Sequence, residues 1–196
     1  MRVASLLLCS LLLPQLLAAQ DAPVPAAPAV TAAPRVRVVT SAGSFVIELD
    51  RNRAPRTVEG FLKYVKADFY SGTVFHRVVA GFIAQAGGYT ADMEPKPITE
   101  NIINESGNGL SNLRGTVALA RSNEPHSATS QFYVNLADNI DLNPRPTRWG
   151  YAVFGKVVEG MEVADDIGHR PTAGGGPFDR NVPVEPIVIE RIELIE

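Results

Sequence analysis

The chain has 196 residues, of which 45% are hydrophobic and 20% are charged, and its formal net charge is −3. This length suits one domain with processed or extended ends, and this apolar content is enough to form a buried core. The slightly acidic balance argues against a nucleic-acid-binding protein, which would usually carry a basic patch. Arg145 and Arg148 leave a local patch open, although a solvated loop is the preferred interpretation. With one cysteine, Cys9, and three histidines, we expect no disulfide and no metal site.

The first 20 residues have the pattern of a secretory signal peptide. Arg2 supplies a positive start, residues 3–17 are mostly apolar, and Ala18 and Ala19 are small residues suited to cleavage. We therefore predict a signal peptide over residues 1–20 and no membrane attachment after its removal.

A membrane anchor and a lipoprotein attached through Cys9 are the alternatives. The apolar run is shorter than the roughly 20 residues of a spanning helix, and Pro14 interrupts it. Leu8, rather than a small residue, precedes Cys9. Both observations favour cleavage.

Residues 21–34 read DAPVPAAPAVTAAP and are predicted to form an extended Ala/Pro-rich linker, because repeated proline interrupts helices and strand ladders. Residues 35–196 then form the folded domain. Its first elements are two short strands, at 36–39 and 45–49, joined by a hairpin turn. Val58, Phe61, Leu62 and Val65 follow at the i, i+3, i+4, i+7 spacing of a helix with one buried face.

The rest of the domain is rich in short strand-like runs. These runs lie at 73–78, 82–85, 115–120, 131–135, 151–157 and 187–194, with a second helix at 159–167. The glycines at 174–176 are interpreted as a loop. The pattern predicts a mainly β fold, a closed antiparallel β-barrel of about eight strands capped by two α-helices.

One segment combines unusual chemistry. Residues 75–88 read FHRVVAGFIAQAGG, so that Arg77 lies in an apolar run a few residues before Gln85. Buried arginines are rare unless they are paired. The residues alone leave two interpretations open, an arginine paired with a structural carboxylate and an arginine with a function.

This segment resembles the cyclophilin signature F-H-R-[IV]-[IV]-x-G-F-x-x-Q-x-G. Two further segments resemble the family in the same order, Ala120-Arg121 with SATSQFYV at 127–134, and YAVFGKV at 151–157. The likeness runs from about Val36 to the C-terminus and is greatest to the short periplasmic bacterial cyclophilins. It implies a peptidyl-prolyl cis-trans isomerase of periplasmic or secreted location, active as a monomer on unfolded or proline-containing polypeptides without a cofactor.

The resemblance also implies roles for individual residues. Arg77 and Gln85 would be catalytic, with Arg77 donating to the prolyl nitrogen of the twisted amide. His76 is a lesser candidate, for which a structural hydrogen-bonding role is preferred over catalysis. The substrate-binding residues would be Phe82, Ile83, Ala120, Arg121, Gln131, Tyr133, Leu142 and Tyr151.

Four positions depart from the family pattern. Tyr133 stands where Phe is usual, so that an unpartnered hydroxyl in the pocket would weaken binding. Arg121 replaces Asn, and Ala86 replaces a glycine, a small change if its φ is negative. Asp141 aligns with a Trp that many relatives use to bind cyclosporin, and we therefore expect weak cyclosporin binding.

Two other functions remain open at this point. A non-catalytic binding module or chaperone could hold proline-containing partners in the same groove, but would not need the Arg77 guanidinium. An unrelated small-ligand barrel would not be expected to carry three family segments in order.

Overall fold

The computed structural model describes residues 33–195. The predicted signal peptide, and the predicted linker apart from Ala33 and Pro34, lie outside the described residues. The Pro34 carbonyl accepts a hydrogen bond of 2.8 Å from the Leu49 amide, which ties this residue to the second strand of the fold. Neither described helix is long and apolar enough to cross a membrane.

The elements follow the predicted order with small differences in their bounds. The strands are β1 (Arg35–Thr40), β2 (Gly43–Leu49), β3 (Thr73–Val74), β4 (Arg77–Val79), β5 (Ile83–Ala86), β6 (Thr116–Leu119), β7 (Phe132–Asn135), β8 (Val153–Glu159), β9 (Thr172–Gly175), β10 (Phe178–Pro183) and β11 (Val188–Ile195). The helices are α1 (Pro55–Lys66) and α2 (Met161–His169), with a 3₁₀ turn at Ile140–Leu142.

Nine of the strands form one antiparallel sheet in the order β3-β11-β1-β2-β8-β6-β7-β5-β4. Its edge strands β3 and β4 are consecutive in the chain and are separated only by Phe75 and His76, so the sheet must curl to bring its edges together. The prediction of a mainly β, antiparallel barrel with two helices is confirmed. Closure was overstated, because β3 and β4 share no ladder among the described strands.

The glycine-rich segment was wrongly interpreted as a loop. Thr172–Gly175 is β9, and it pairs with β10 in a separate two-stranded hairpin. Only Gly176, with φ of 51°, lies in the turn. This hairpin packs against the β4 end of the sheet, where Phe178 stacks on His76 with ring centroids 5.6 Å apart.

The main core lies between the inner face of the sheet and the helices. The four predicted helix residues, Val58, Phe61, Leu62 and Val65, are all buried on one side of α1. The Phe61 ring packs between the rings of Phe132 and Phe154, at centroid distances of 5.7 and 5.1 Å. These contacts hold α1 against β7 and β8.

The five strands β4, β5, β7, β6 and β8 use both of their faces. Successive side chains of a strand point to opposite sides of a sheet. Val78, Ala84, Val134, Val117 and Phe154 face the main core, one from each strand. Their neighbours in sequence therefore face outward, and it is this outer face that carries the candidate site.

Candidate active site

A single row of residues crosses the outer face of the five strands. Arg77 of β4 is directly opposite Gln85 of β5, which is opposite Tyr133 of β7. Tyr133 is opposite Ala118 of β6, and Ala118 is opposite Val153 of β8. Neighbouring strands are about 4.8 Å apart, so the row extends over roughly 19 Å. It has a polar end at Arg77 and Gln85 and an apolar end at Ala118 and Val153.

The polar end is held by a chain of two hydrogen bonds. The Arg77 Nη1 donates to Gln85 Oε1 at 3.3 Å, and Gln85 Nε2 donates to Gln131 Oε1 at 2.9 Å. Gly88 leaves room for this arrangement, because a Cβ at that position would lie 2.5 Å from Gln131 Nε2. All three side chains are partly exposed to solvent.

Arg77 has no carboxylate partner among residues 33–195. None of the ion pairs formed within residues 33–195 includes it. A guanidinium has five N–H donors, and Gln85 takes one of them. Within the part of the chain that the structure describes, Arg77 is therefore not half of a structural ion pair, and its remaining donors are available to a ligand.

The apolar end is a second hydrophobic cluster, separate from the main core. Ile83, Ala118, Tyr133 and Val153 are buried in it, and partly buried apolar side chains surround them: Phe82, Leu110, Ala120, Leu142 and Tyr151. The structure thus brings together six of the eight predicted substrate-binding residues beside Arg77. Sequence reasoning missed Leu110, Ala118 and Val153, although the last two could have been found from their places in alternating strands.

The Tyr133 hydroxyl is buried and has a hydrogen-bond partner. It donates to Asn112 Oδ1 at 2.8 Å in a fully buried contact, and burial raises the pKa of Tyr133 well above its usual value. Asn112 Nδ2 in turn donates to Asn143 Oδ1 at 3.1 Å and to the Tyr151 carbonyl at 3.4 Å. The tyrosine that replaces the usual phenylalanine therefore adds no unpartnered hydroxyl to the pocket wall.

Asn112 belongs to a network of asparagines behind the pocket. Asn135 Nδ2 donates to Asn112 Oδ1 at 3.2 Å, and Asn139 Nδ2 donates to Asn135 Oδ1 at 2.7 Å. Asn139 also donates to the Phe82 carbonyl at 2.8 Å, and its own carbonyl accepts from the Leu142 amide at 2.9 Å. Buried amides need such partners. The network therefore ties Phe82, Leu142, Tyr133 and Tyr151 to one frame.

Arg121 borders the pocket but has its donors occupied. Its Nε donates to the Gly150 carbonyl at 3.1 Å and its Nη2 to the Trp149 carbonyl at 2.6 Å. The guanidinium lies over the Tyr151 ring, 4.8 Å from the centroid. The side chain therefore braces the pocket wall.

His76 is buried between aromatic rings next to Arg77. Its ring lies 4.8 Å from that of Tyr89 and stacks on Phe178. Burial lowers the pKa of His76 to about 4, so the imidazole is neutral at pH 7. A neutral ring enclosed in this way fits a structural role through packing, but its buried Nδ1 has no hydrogen-bond partner among the described residues, so the hydrogen bond predicted for it is not seen at that atom.

Two other departures from the family pattern have clear structural settings. Ala86 is buried in β5 and is not among the described non-glycine residues with positive φ, so it replaces glycine without strain. Asp141 has a side chain that is 91% exposed and paired with Arg145, and weak cyclosporin binding stays a prediction.

Comparisons with known proteins agree with this geometry. The profile of the family described as "Cyclophilin type peptidyl-prolyl cis-trans isomerase/CLD" matches residues 35–194. Peptidyl-prolyl cis-trans isomerase A of Dickeya dadantii is 49% identical over 168 residues, which cover 86% of this chain and 88% of that protein. Peptidyl-prolyl cis-trans isomerase B of Escherichia coli is 44% identical and covers 80% of this chain and 97% of its own length.

The fold also resembles that of a solved cyclophilin. A Cryptosporidium parvum cyclophilin, solved in the presence of the dipeptide Ala-Pro, matches with a TM-score of 0.68 and 24% identity over 83% of this chain and 99% of that one. The chain belongs to the cyclophilin family. It is a peptidyl-prolyl cis-trans isomerase, which excludes the unrelated ligand barrel and the non-catalytic binding module.

Removal of the Asn112 side chain tests whether the asparagine network positions the pocket. Asn112→Ala leaves the buried Tyr133 hydroxyl without its acceptor, which should lower the free energy of unfolding by about 1–3 kcal/mol. We expect KM for a proline peptide to rise while kcat changes little, because Arg77, Gln85 and Gln131 are untouched. Urea unfolding and steady-state kinetics give the two quantities.

A second substitution distinguishes this effect from general damage. Tyr133→Phe removes the hydroxyl that Asn112→Ala leaves without an acceptor. The double variant Asn112→Ala/Tyr133→Phe should therefore lose less free energy of unfolding than the two single variants lose in sum. Asn101→Ala, in an exposed loop, is the matched control. Additive losses in the double variant would contradict the coupling.

The low pKa of His76 predicts a pH dependence of stability. Above its unfolded pKa of 6.5 the imidazole is neutral in both states, whereas between 6.5 and about 4 only the unfolded chain takes up the proton. The free energy of unfolding should therefore fall by up to roughly 3 kcal/mol as the pH drops through this range. His76→Phe should lose that part of the pH dependence in urea titrations; parallel curves for the two proteins would contradict it.

Proposed function

We propose that Arg77 accelerates X–Pro isomerisation by donating a hydrogen bond to the prolyl nitrogen of the twisted amide. Rotation about the bond is slow because amide resonance raises a barrier of about 18–20 kcal/mol. In the twisted state the nitrogen loses this conjugation and gains a lone pair. A donor that bonds this lone pair stabilises the transition state more than either ground state, which is the condition for catalysis.

The Arg77 guanidinium, which pairs with no carboxylate in the described part of the chain and lies beside the apolar pocket, is the observation that carries this proposal. Gln85 and Gln131 are neutral, so they orient Arg77 without neutralising its charge. A fixed donor of this kind needs little reorganisation during the reaction. The guanidinium also stays protonated at every relevant pH.

The apolar cluster is the proposed seat of the proline ring. Ile83, Tyr133 and Ala118 form a buried floor next to Gln85, and Phe82 and Leu142 stand at its sides. The floor presents no unpartnered polar group, since the Tyr133 hydroxyl is bonded to Asn112. The Cryptosporidium relative solved with Ala-Pro supports a proline-containing ligand. All of these residues come from one chain, so we propose the monomer as the active unit.

We propose that the enzyme acts on exported proteins in the periplasm or outside the cell. The signal-peptide pattern of residues 1–20 supports this location. Expression of the full chain in a bacterium, followed by cell fractionation and intact-mass measurement, tests it. A soluble exported form that begins near residue 21 is expected. A full-length product in the cytoplasm, or a lipid-modified or full-length product in the membrane fraction, would contradict it.

Substitution of Arg77 tests the mechanism. In a coupled proline-isomer assay, Arg77→Ala should lower kcat by about 10²–10³-fold, the usual loss when one preorganised donor is removed. Arg77→Lys keeps the charge but not the planar fork, and should recover only part of the rate. Binding of the peptide, measured by calorimetry, should change much less, because the apolar pocket remains.

Arg191→Ala is the matched control, since Arg191 is an exposed arginine on β11, away from the row. Its rate should equal that of the unsubstituted enzyme. Equal rates in Arg77→Ala and the unsubstituted enzyme would show that another group stabilises the twisted amide.

A further inference from the structure

A second concave region lies beside the proline pocket. It is a cleft with a cavity volume of about 420 Å³, lined by Ser106, Gly107 and residues 144–149. Its chemistry differs from that of the pocket: it contains two guanidiniums, two prolines and the Trp149 indole, which is 46% exposed. None of these residues has a place in the proposed isomerase mechanism.

The two guanidiniums extend from directly opposed positions. Arg145 and Arg148 form an antiparallel β-bridge, with N···O distances of 2.8 and 3.0 Å, around the tip residues Pro146 and Thr147. Like charges directly opposite each other on paired strands destabilise the pair. Asp141 pairs with Arg145 alone, so a bound anion would relieve the repulsion that remains, and the planar fork of arginine suits a carboxylate.

The local charge around the cleft is positive. Asp141 is paired with Arg145, and its carbonyl accepts from Arg148. Arg121 supplies a third guanidinium, which donates to backbone carbonyls of the same segment and pairs with no carboxylate in the described chain. Three guanidiniums and one carboxylate leave two positive charges, on a protein whose net charge is −3.

One carboxylate that adjoins the cleft in the chain is already engaged. Glu105, next to Ser106 in the chain, accepts hydrogen bonds of 3.2 and 2.8 Å from the backbone amides of Arg56 and Thr57 at the start of α1. A helix N-terminus favours such a negative group, so Glu105 is held away from the arginines. It does not neutralise the cleft.

The cleft and the pocket share a wall. Leu142 and Tyr151 belong to the pocket, and the Tyr151 amide donates to the Leu142 carbonyl at 3.0 Å, so the segment between them is a closed loop. Pro144 and Trp149, which line the cleft, each lie two residues inside that loop. The cleft is therefore within reach of a polypeptide seated in the pocket, a few residues from its proline.

We propose that this cleft is an extended subsite that binds an acidic side chain of the polypeptide whose proline occupies the pocket, a proposal that rests on the isomerase function given above. The Arg145 and Arg148 guanidiniums bind the carboxylate, and Trp149 and Pro144 pack against the aliphatic stem that carries it. The enzyme thus favours clients with Asp or Glu near the isomerised proline.

A set of peptides that differ in one side chain tests this subsite. Glu, Gln or Lys is placed in turn at each of the five positions on either side of one proline, in an otherwise neutral peptide, and kcat/KM is measured at low salt with the full chain. At one or two positions the Glu peptide should exceed the Gln peptide by about threefold to tenfold, with the Lys peptide lowest. The preference should shrink as salt rises, because the cleft is open to solvent.

Variants assign the preference to the arginines. Arg148→Gln and Arg145→Gln should each lower the ratio of kcat/KM for the Glu peptide to that for the Gln peptide, and leave kcat/KM for the neutral peptide unchanged. Arg148→Lys should recover part of this ratio. The double variant Arg145→Glu/Arg148→Glu should reverse the preference, so that the Lys peptide gives the highest kcat/KM. Arg191→Gln removes the same charge from β11 and should keep the full ratio.

Several results would overturn the proposal. Equal kcat/KM for Glu and Gln peptides at every position would do so. An equal fall in kcat/KM for all peptides in Arg148→Gln would also overturn it, because it would show that the arginines only support the loop. Saturable binding of inorganic phosphate or an oligonucleotide that needs Arg148, without any Glu preference, would assign the cleft to another anion. If the unsubstituted enzyme did not turn over the neutral peptide, the isomerase function itself would be contradicted. Failure of the subsite proposal and failure of the isomerase function are therefore distinguishable.

Discussion

The alternation of side chains along five neighbouring strands is the constraint on which the rest of the structure depends. One face of β4, β5, β7, β6 and β8 must fill the main core, because α1 and its aromatic side chains pack there. The other face then places Arg77, Gln85 and Tyr133 in one row without further adjustment. A register slip of one residue in any of these strands would exchange the two faces. The same packing that stabilises the fold therefore fixes the position of the guanidinium relative to the pocket.

The charge of Arg77 is held in place by neutral groups. A carboxylate partner would orient the guanidinium more strongly, but it would also compete with the prolyl nitrogen for its donors and reduce its charge in the pocket. The amides of Gln85 and Gln131 give direction without that competition. Nearby His76 is consistent with this arrangement, because its low pKa keeps it neutral and adds no second positive charge beside Arg77. The polar end of the row thus combines a full charge with a neutral scaffold.

The sequence predicted those parts of the site that depend on local geometry. Arg77 and Gln85 belong to one hairpin whose three-residue loop contains Gly81 at φ of 65°, so their pairing follows from turn chemistry and spacing. The asparagine network could not be found in the same way, because Asn112 reaches Tyr133 across 21 residues and Asn143 across 31. Those contacts depend on how β6 and β7 pair and on how the 140–151 loop closes. The β9–β10 hairpin was missed because its strand is rich in glycine, which carries almost no β-propensity.

The loop between Leu142 and Tyr151 joins the pocket, where isomerisation takes place, to the cleft, which we propose selects among polypeptides. Its two ends belong to the pocket and are tied to the asparagine frame, through Asn143 and the Tyr151 carbonyl. At its tip, Arg145 and Arg148 bond to Asp141 rather than to a residue of the row, and Arg121 braces the final residues. Changes of charge at the tip can therefore alter which polypeptides are preferred without moving Arg77 or the pocket floor. Isomerisation requires the same geometry for every X–Pro bond, whereas the side chains around the proline differ between clients, and the structure assigns these two requirements to different parts of one continuous wall.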